Sequence, residues 1–366
     1  MGASETKTRI LKGLLFEIAI LQMLLDNGFS QIPLDNSDRA IMSRKNFIEL
    51  KGRGGWHQID CPCDWQYCSP FMYPIRLLGE VKFTKKKVDK AVVRQYIGVL
   101  KDIQENYFVE NPELVLERNV KRVLEIGCIF SAYGFNRQAE SLAYAHGIKT
   151  ISYENNVVVD RIKRYIEKLV QENVVPGNDA RDKKLLRKSI NSYLARNHMI
   201  DCVAQSECNG QMGCIEADIR NILSGDYEDN LHGFLDSVNA VEGSFIATTP
   251  EGLLLHFVGE QKFPEDMFEH TDNAKYRIHI EKSEANSEGS YYLVIITEKT
   301  ESGKFYFAPP EVLKEAIEEN WIKVLDIKQE FLYKLVLHKK IKGLQRTLVL
   351  ELDNEWVLQK RREYSR

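Results

Sequence analysis

The chain has 366 residues, 43% of them hydrophobic and 28% charged, with a formal net charge of −3. That length suits two domains, each able to bury its own interior, and the composition is that of an ordinary globular protein. No apolar run approaches the roughly 20 residues of a membrane span, so a membrane protein is not expected.

A slightly negative total argues against a uniformly basic coat for nucleic acid, but a protein that touches phosphate on one face needs only local positive charge. The cations do cluster, at Lys82, Lys85, Lys86, Lys87, Lys90 and Arg94, and again at Lys183, Lys184, Arg187, Lys188 and Arg196. For the second block a solvated helix face is an equally good reading. Seven cysteines, an odd number, without a secretory signal point to reduced thiols in a cytoplasmic protein. Neither Cys61, Cys63 and Cys68 nor Cys202, Cys208 and Cys214 has the repeated spacing of a zinc site, so both trios are expected to be ordinary buried thiols.

In chain order, Ile10, Leu14, Leu15, Ile18, Leu21 and Leu25 have helical spacing, which predicts a helix from Thr8 to Asn27 stopped by Gly28. From Ala40 to Phe83, short apolar runs broken by Gly and Pro predict strands and hairpins. A helix is expected over Val88 to Ile103, a strand over Arg122 to Phe130 and a helix over Asn136 to His146. A strand over Lys149 to Tyr153 and a long helix over Val157 to Asn173 follow. This order predicts a mixed sheet flanked by helices.

The polar break around Pro176, Gly177, Asn178 and Asp179 suits a linker, followed by helices at Lys183 to Asn197 and Ile215 to Leu223. Strand-like runs at Phe245 to Thr248, Leu253 to Val258, Tyr291 to Thr297 and Lys304 to Phe307, with a helix at Pro310 to Asn320, predict an α+β second domain. The expected division is residues 1–175, a basic helical connection over 176–236 and the α+β domain over 237–366.

The chemistry concentrates between Leu50 and Phe83. Asp60 ends the run Gly-Arg-Gly-Gly-Trp-His-Gln-Ile-Asp, and twenty residues later Glu80 and Lys82 lie two apart on an expected strand. Side chains two apart share a strand face, so Glu80 and Lys82 point one way while Val81 and Phe83 enter the opposite layer. Two carboxylates meeting on adjacent strands form a hard-oxygen site suited to Mg²⁺, with Mn²⁺ as a substitute. Such a metal lowers the pKa of bound water and stabilises phosphate charge, while lysine can serve the nucleophile. Glu17 borders the apolar face of the first helix, one turn after Gly13. Gln95 is expected in an inward stripe with Val88, Ala91, Val92, Val99 and Ile103, where it would need a polar partner such as the sheet edge.

Taken in order, Glu17, Asp60, Glu80, Lys82 and Gln95 resemble the pattern of the PD-(D/E)XK nuclease superfamily, and the phrase around His57 to Asp60 is similar to Mrr-type restriction endonucleases. The resemblance covers about Thr8 to Asn173 and includes Gly134-Phe135-Asn136 before a helix. It implies a restriction-endonuclease-like α/β fold in which Asp60 and Glu80 ligate metal, Lys82 serves the attacking water, and Glu17 and Gln95 support the site. Asp60 follows isoleucine where the pattern has proline, and Glu49-Leu-Lys51 and Glu260-Gln-Lys262 repeat the bare triplet without its surroundings.

Arg53 and His57, in the glycine-rich approach to Asp60, are expected to contact substrate. Lys85, Lys86 and Lys87 are expected to face the DNA backbone. The reading is a Mg²⁺-dependent, restriction- or defence-like DNA endonuclease whose C-terminal domain recognises a target, a modification or a partner. Two strand cuts need two active sites, which makes a homodimer a reasonable expectation. Other readings are a signal-activated effector whose C-terminal domain senses a ligand, and a non-catalytic nucleic-acid-binding protein of the same fold.

Overall fold

The computed structural model describes residues 3–32, 40–44, 47–65, 71–106, 122–172, 186, 187, 190, 194, 228–241, 243–259, 261–265, 275–283, 291–296, 301–310, 331–341 and 344–364. The expected helices at Ile215 to Leu223 and Pro310 to Asn320, the linker at 174–182, and Cys68, Cys202, Cys208 and Cys214 lie outside these residues, as does most of the helix at Lys183 to Asn197.

The chain is mixed α/β, with six helices among the described residues. Helix α1 (Ala3–Asp26) leads to strands β1 (Phe29–Gln31), β2 (Ile41–Arg44), β3 (Phe47–Lys51), β4 (Trp56–Ile59), β5 (Cys61–Trp65) and β6 (Ile75–Lys82). Helix α2 (Lys90–Gln104), β7 (Leu124–Ser131), α3 (Arg137–Ala145), β8 (Lys149–Ser152), α4 (Val157–Glu172) and α5 (Glu228–Asn239) follow. Five strands form one mixed sheet in the order β1-β5-β6-β7-β8, antiparallel from β1 to β6 and parallel from β6 to β8. Strands β2, β3 and β4 form a separate antiparallel sheet.

The two faces of the main sheet carry different helices. Helices α2 and α3, each crossing between parallel strands as parallel pairing requires, pack with β2–β4 over Leu78 and Ile129. Helix α2 is capped by Asp89, which accepts from the Ala91 and Val92 amides at 2.9 and 3.2 Å. It buries Val93, Tyr96, Leu100 and Ile103. The Tyr96 hydroxyl donates to the Leu78 carbonyl, and a Cβ on Gly127 would come within 2.7 Å of Leu100, so that glycine lets the helix approach β7.

On the other face α1 is buried almost all round between Leu11 and Leu24, because the sheet covers one side and α4 and α5 the other. Its residues were expected to show one apolar stripe; instead Phe16, Ala19, Ile20 and Met23 are buried as well. Gly28, at φ 87°, ends it in the left-handed conformation that glycine adopts without strain.

The C-terminal part contains a closed seven-stranded barrel: β9 (Phe245–Thr248), β10 (Leu254–Gly259), β11 (Lys275–Lys282), β12 (Tyr291–Ile296), β13 (Phe305–Phe307), β14 (Lys334–Ile341) and β15 (Leu344–Leu352). The order around it is β10-β13-β12-β11-β15-β14-β9, with β11 and β15 parallel and the other pairs antiparallel. Helix α6 (Asn354–Tyr364) ends the chain. Phe245, Phe257, Phe305 and Phe307 sit within the barrel core, with Phe245 stacked on Phe257 at 4.9 Å between ring centroids. A barrel of this strand number is just wide enough for side chains to fill.

The barrel docks on the first sheet through buried polar contacts. Asn27 bridges to Ser244 Oγ at 3.2 Å and accepts from the Ile246 amide at 2.9 Å. At the start of β8 Lys149 Nζ donates to the Gly252 carbonyl at 2.7 Å, and after the strand Asn156 Nδ2 donates to the Tyr306 carbonyl at 3.1 Å. Among the described residues no helix is long and apolar enough to cross a membrane.

Candidate functional site

Strand β6 alternates as its sequence requires. Leu77 and Val81 join the core around α1 and Leu78 the core beneath α2, so Glu80 and Lys82 share the face of Leu78 near the strand's C-terminal end. Lys82 Nζ donates to Glu80 Oε1. Between them the Val81 amide donates to Asp60 Oδ2 at 2.9 Å. Asp60 is held there because β5 pairs with β6 in a register that sets Cys61 opposite Gly79. A Cβ on Gly79 would lie 2.9 Å from both the Cβ and the carbonyl oxygen of Cys61, so only glycine permits that approach.

Glu17 reaches the same place from α1. The Cys61 thiol donates to the Glu17 backbone carbonyl at 3.5 Å, and Arg187 Nη2 donates to Glu17 Oε2. Burial pushes the Glu17 carboxyl above its ordinary range; Arg187 pulls it back, Glu80 pushes it up and Lys82 pulls it down. Asp60 is pushed up to about 7, by burial first and then by the charges of Glu17 and Glu80, against the Val81 hydrogen bond and Lys82. These mutual effects place Glu17, Asp60, Glu80 and Lys82 in one electrostatic unit, gathered from α1, the β4–β5 junction and β6.

Among the described residues no group of three or more His, Cys, Asp or Glu is arranged to hold a metal ion. The pair Asp60 and Glu80 has the donor chemistry of a Mg²⁺ site, since that ion keeps most of its waters and is commonly held by one or two carboxylates with substrate phosphate. The hydrogen bonds described engage one oxygen of each carboxylate, Oδ2 of Asp60 and Oε1 of Glu80.

Other expected site residues lie elsewhere. Gln95 is exposed and outside the buried stripe of α2, which runs through Val93, Tyr96, Leu100 and Ile103. The expected register was displaced because Ala91 is exposed and Val92 only half-buried, while Val93 and Tyr96 carry the packing. Arg53, in the bend before β4, and His57, within β4, are tied to the C-terminal end of α2. His57 Nε2 meets Asp102 Oδ2 at 2.7 Å, the Gly54 amide donates to Asp102 Oδ1 at 2.9 Å, and Arg53 Nη1 lies 3.1 Å from Glu105 Oε2. A Cβ on Gly52 would come within 2.1 Å of Asp102, so that glycine makes room for a carboxylate. His57 stands three residues, about 10 Å along the chain, before Asp60.

Lys85, Lys86 and Lys87 are exposed just past β6. Lys85 Nζ lies 3.7 Å from Glu167 and Lys87 Nζ 3.1 Å from Glu154, pairs that anchor the turn to the region of α4. Such exposed pairs are worth ~0–1 kcal/mol and break readily for a phosphate. The Gly134-Phe135-Asn136 segment bridges to Val88, with Phe135 buried and Gly134 at φ 83°. Cys61 and Cys63 are free thiols buried in the apolar core, as expected of them.

Arg187 was not singled out from the basic block Lys183 to Arg196. The signal was present in Leu186, Ile190 and Leu194, which recur every four residues and are buried in the α1 core, so the residue beside Leu186 is carried to its border. A second missed feature is His256, buried where the barrel meets β8, with Nδ1 2.8 Å from the Tyr153 hydroxyl. Nothing in its local sequence marks it.

No family model matches the chain, and none of the curated proteins compared matches it. Among solved structures, the crystal structure of a protein of unknown function, AF1548, is similar over 61% of this chain and 95% of that one, at 9% identity and a TM-score of 0.30. That likeness is too slight to place the chain in a family.

Proposed function

We propose that this chain is a metal-dependent nuclease of the PD-(D/E)XK type, hydrolysing phosphodiester bonds in DNA, with a restriction-endonuclease-like N-terminal fold. The observation that carries the reading is Asp60 accepting the Val81 amide between Glu80 and Lys82, which joins an acid and an acid-x-lysine, twenty residues apart in the chain, at one strand end. Glu17 adjoining them from α1, and a mixed sheet with helices on both faces, support it further.

In this reading Asp60 and Glu80 hold Mg²⁺ or Mn²⁺. The cation supplies a water of lowered pKa and neutralises phosphate charge. Lys82, half-buried beside Glu80, would donate to the attacking water to orient it and offset negative charge building up on the phosphate. Lys85, Lys86 and Lys87 lie a few residues from the acids and give the backbone of DNA a salt-sensitive contact. The barrel serves target recognition or regulation, and a homodimer supplies the second active site for a double-strand cut, in a restriction- or defence-like setting.

The test is incubation of the full chain with duplex DNA, modified duplex, single-stranded DNA and RNA, with Mg²⁺, Mn²⁺ or EDTA. Metal-dependent cleavage of DNA, lost in Asp60→Ala, Glu80→Ala and Lys82→Ala variants that still fold, is expected. Cleavage that persists at full rate in all three variants removes the site from the mechanism.

A further inference from the structure

We infer that Arg187 is a phosphate-binding residue of this site and that Glu17 acts by holding it there. The inference rests on the nuclease reading of Asp60, Glu80 and Lys82 and adds to it a residue from outside the sheet.

Three observations point to this. Arg187 Nη2 donates to Glu17 Oε2, with both side chains largely buried, at 14% and 16% exposure. Leu186, Ile190 and Leu194 are buried at 1%, 0% and 0% in the core around α1, and Arg187, next to Leu186, is thereby carried to the border of that core. Arg187 Nε is buried and has no hydrogen-bond partner among the described residues.

The third observation identifies the ligand class. A buried donor left unsatisfied is costly, and at Arg187 it belongs to a guanidinium that a carboxylate already holds in place. Guanidinium is planar and always charged, and its donors match two oxygens of a phosphate. Glu17 takes one nitrogen and fixes the plane, leaving Nε for an oxygen that the protein does not provide. The Glu17 carbonyl lies 3.5 Å from the thiol of Cys61, the residue after Asp60, so an anion bound at Nε lies on the side of α1 that adjoins that acid. Glu17 is then a positioning residue for a cation, a different task from ligating metal.

The experiment compares wild type, Arg187→Ala, Arg187→Lys, Glu17→Gln and the double variant Glu17→Gln/Arg187→Ala. A short duplex oligonucleotide is titrated by fluorescence anisotropy, with Ca²⁺ in place of Mg²⁺, over a range of salt. Cleavage of the same duplex with Mg²⁺ is measured in parallel. Arg187→Ala should weaken binding roughly 10- to 100-fold, as loss of a charge-assisted hydrogen bond does, and lower the salt slope by about 0.9, one phosphate contact. Arg187→Lys should restore the slope but not the full affinity, because ammonium lacks the fork. Glu17→Gln should weaken binding, and the double variant should be no worse than Arg187→Ala alone. Unchanged affinity and slope in Arg187→Ala, with only a lowered melting temperature, would make the pair structural and overturn the inference. Binding that depends on Arg187 without cleavage in any metal would sink the nuclease reading alone.

Discussion

Replacing Asp60 with asparagine should make the protein more stable while removing the cleavage proposed for it. The Asp60 carboxyl is pushed up to about 7 from an ordinary 3.8, by burial and by Glu17 and Glu80. Its folded pKa thus exceeds its unfolded one, so the folded state holds the proton more tightly. The stability that proton confers is fully present below pH ~4 and is lost as pH rises through about 7. Three units at ~1.4 kcal/mol each set an upper bound of ~4 kcal/mol, and partial exposure and coupling to Glu17 reduce this to about 2 kcal/mol. Asparagine carries no charge and can still accept the Val81 amide through its side-chain oxygen. In thermal melts with EDTA, Asp60→Asn should melt roughly 4–8 °C above wild type at pH 8 and close to it at pH 4. A variant that is less stable at pH 8, or whose difference from wild type does not change with pH, would show that Asp60 is not crowded by like charge.

Four further outcomes are expected. Gly79→Ala should cost about 1–3 kcal/mol and also depress cleavage, because a methyl 2.9 Å from the Cys61 carbonyl pushes apart the strands that hold Asp60 against Val81; melting and rate are read on the same sample. His57→Ala should leave cleavage by the folded protein within a few-fold of wild type while lowering stability, since its ring is held by Asp102 at 2.7 Å; a thousandfold loss of rate would give it the substrate contact expected from the sequence. His256, buried and pulled down to about 3, stays neutral in the folded chain while the unfolded chain takes a proton below 6.5. Its contribution falls as pH drops, by about 2 kcal/mol between 6.5 and 5, so His256→Gln should flatten that part of the stability profile, as read by denaturant titration at pH 7 and 5. Reversing charge at Lys86 should weaken DNA binding and lower its salt slope without altering the rate of a bound duplex; a variant indistinguishable from wild type in affinity would move the DNA path away from this turn.

What the sequence determined by itself was the local periodicity and the spacing of the acids. Alternation through β6 determined that Glu80 and Lys82 share a face, and the spacings of α1, α3, α4 and β7 to β9 located those elements to within a few residues. Period and propensity are local properties, legible wherever one face meets a core. The same rule misled where burial has no single face: α1 is covered nearly all round, and in α2 the stripe turns on Val93 and Tyr96, which moved Gln95 to the surface. Of the glycines read as room for phosphate, Gly52 makes room for Asp102, because a glycine in sequence does not say what comes near it.

Only the tertiary structure decided how distant pieces meet. Strands β11, β14 and β15, absent from the sequence reading, close a barrel through the parallel pairing of β11 with β15, some 70 residues apart in number. The Gly79–Cys61 register brings Asp60 to Val81, and the packing of Leu186, Ile190 and Leu194 brings Arg187 to Glu17. These are long-range contacts, in which the partner's identity is set by the whole core and not by neighbours in the chain, so no window of sequence contains them.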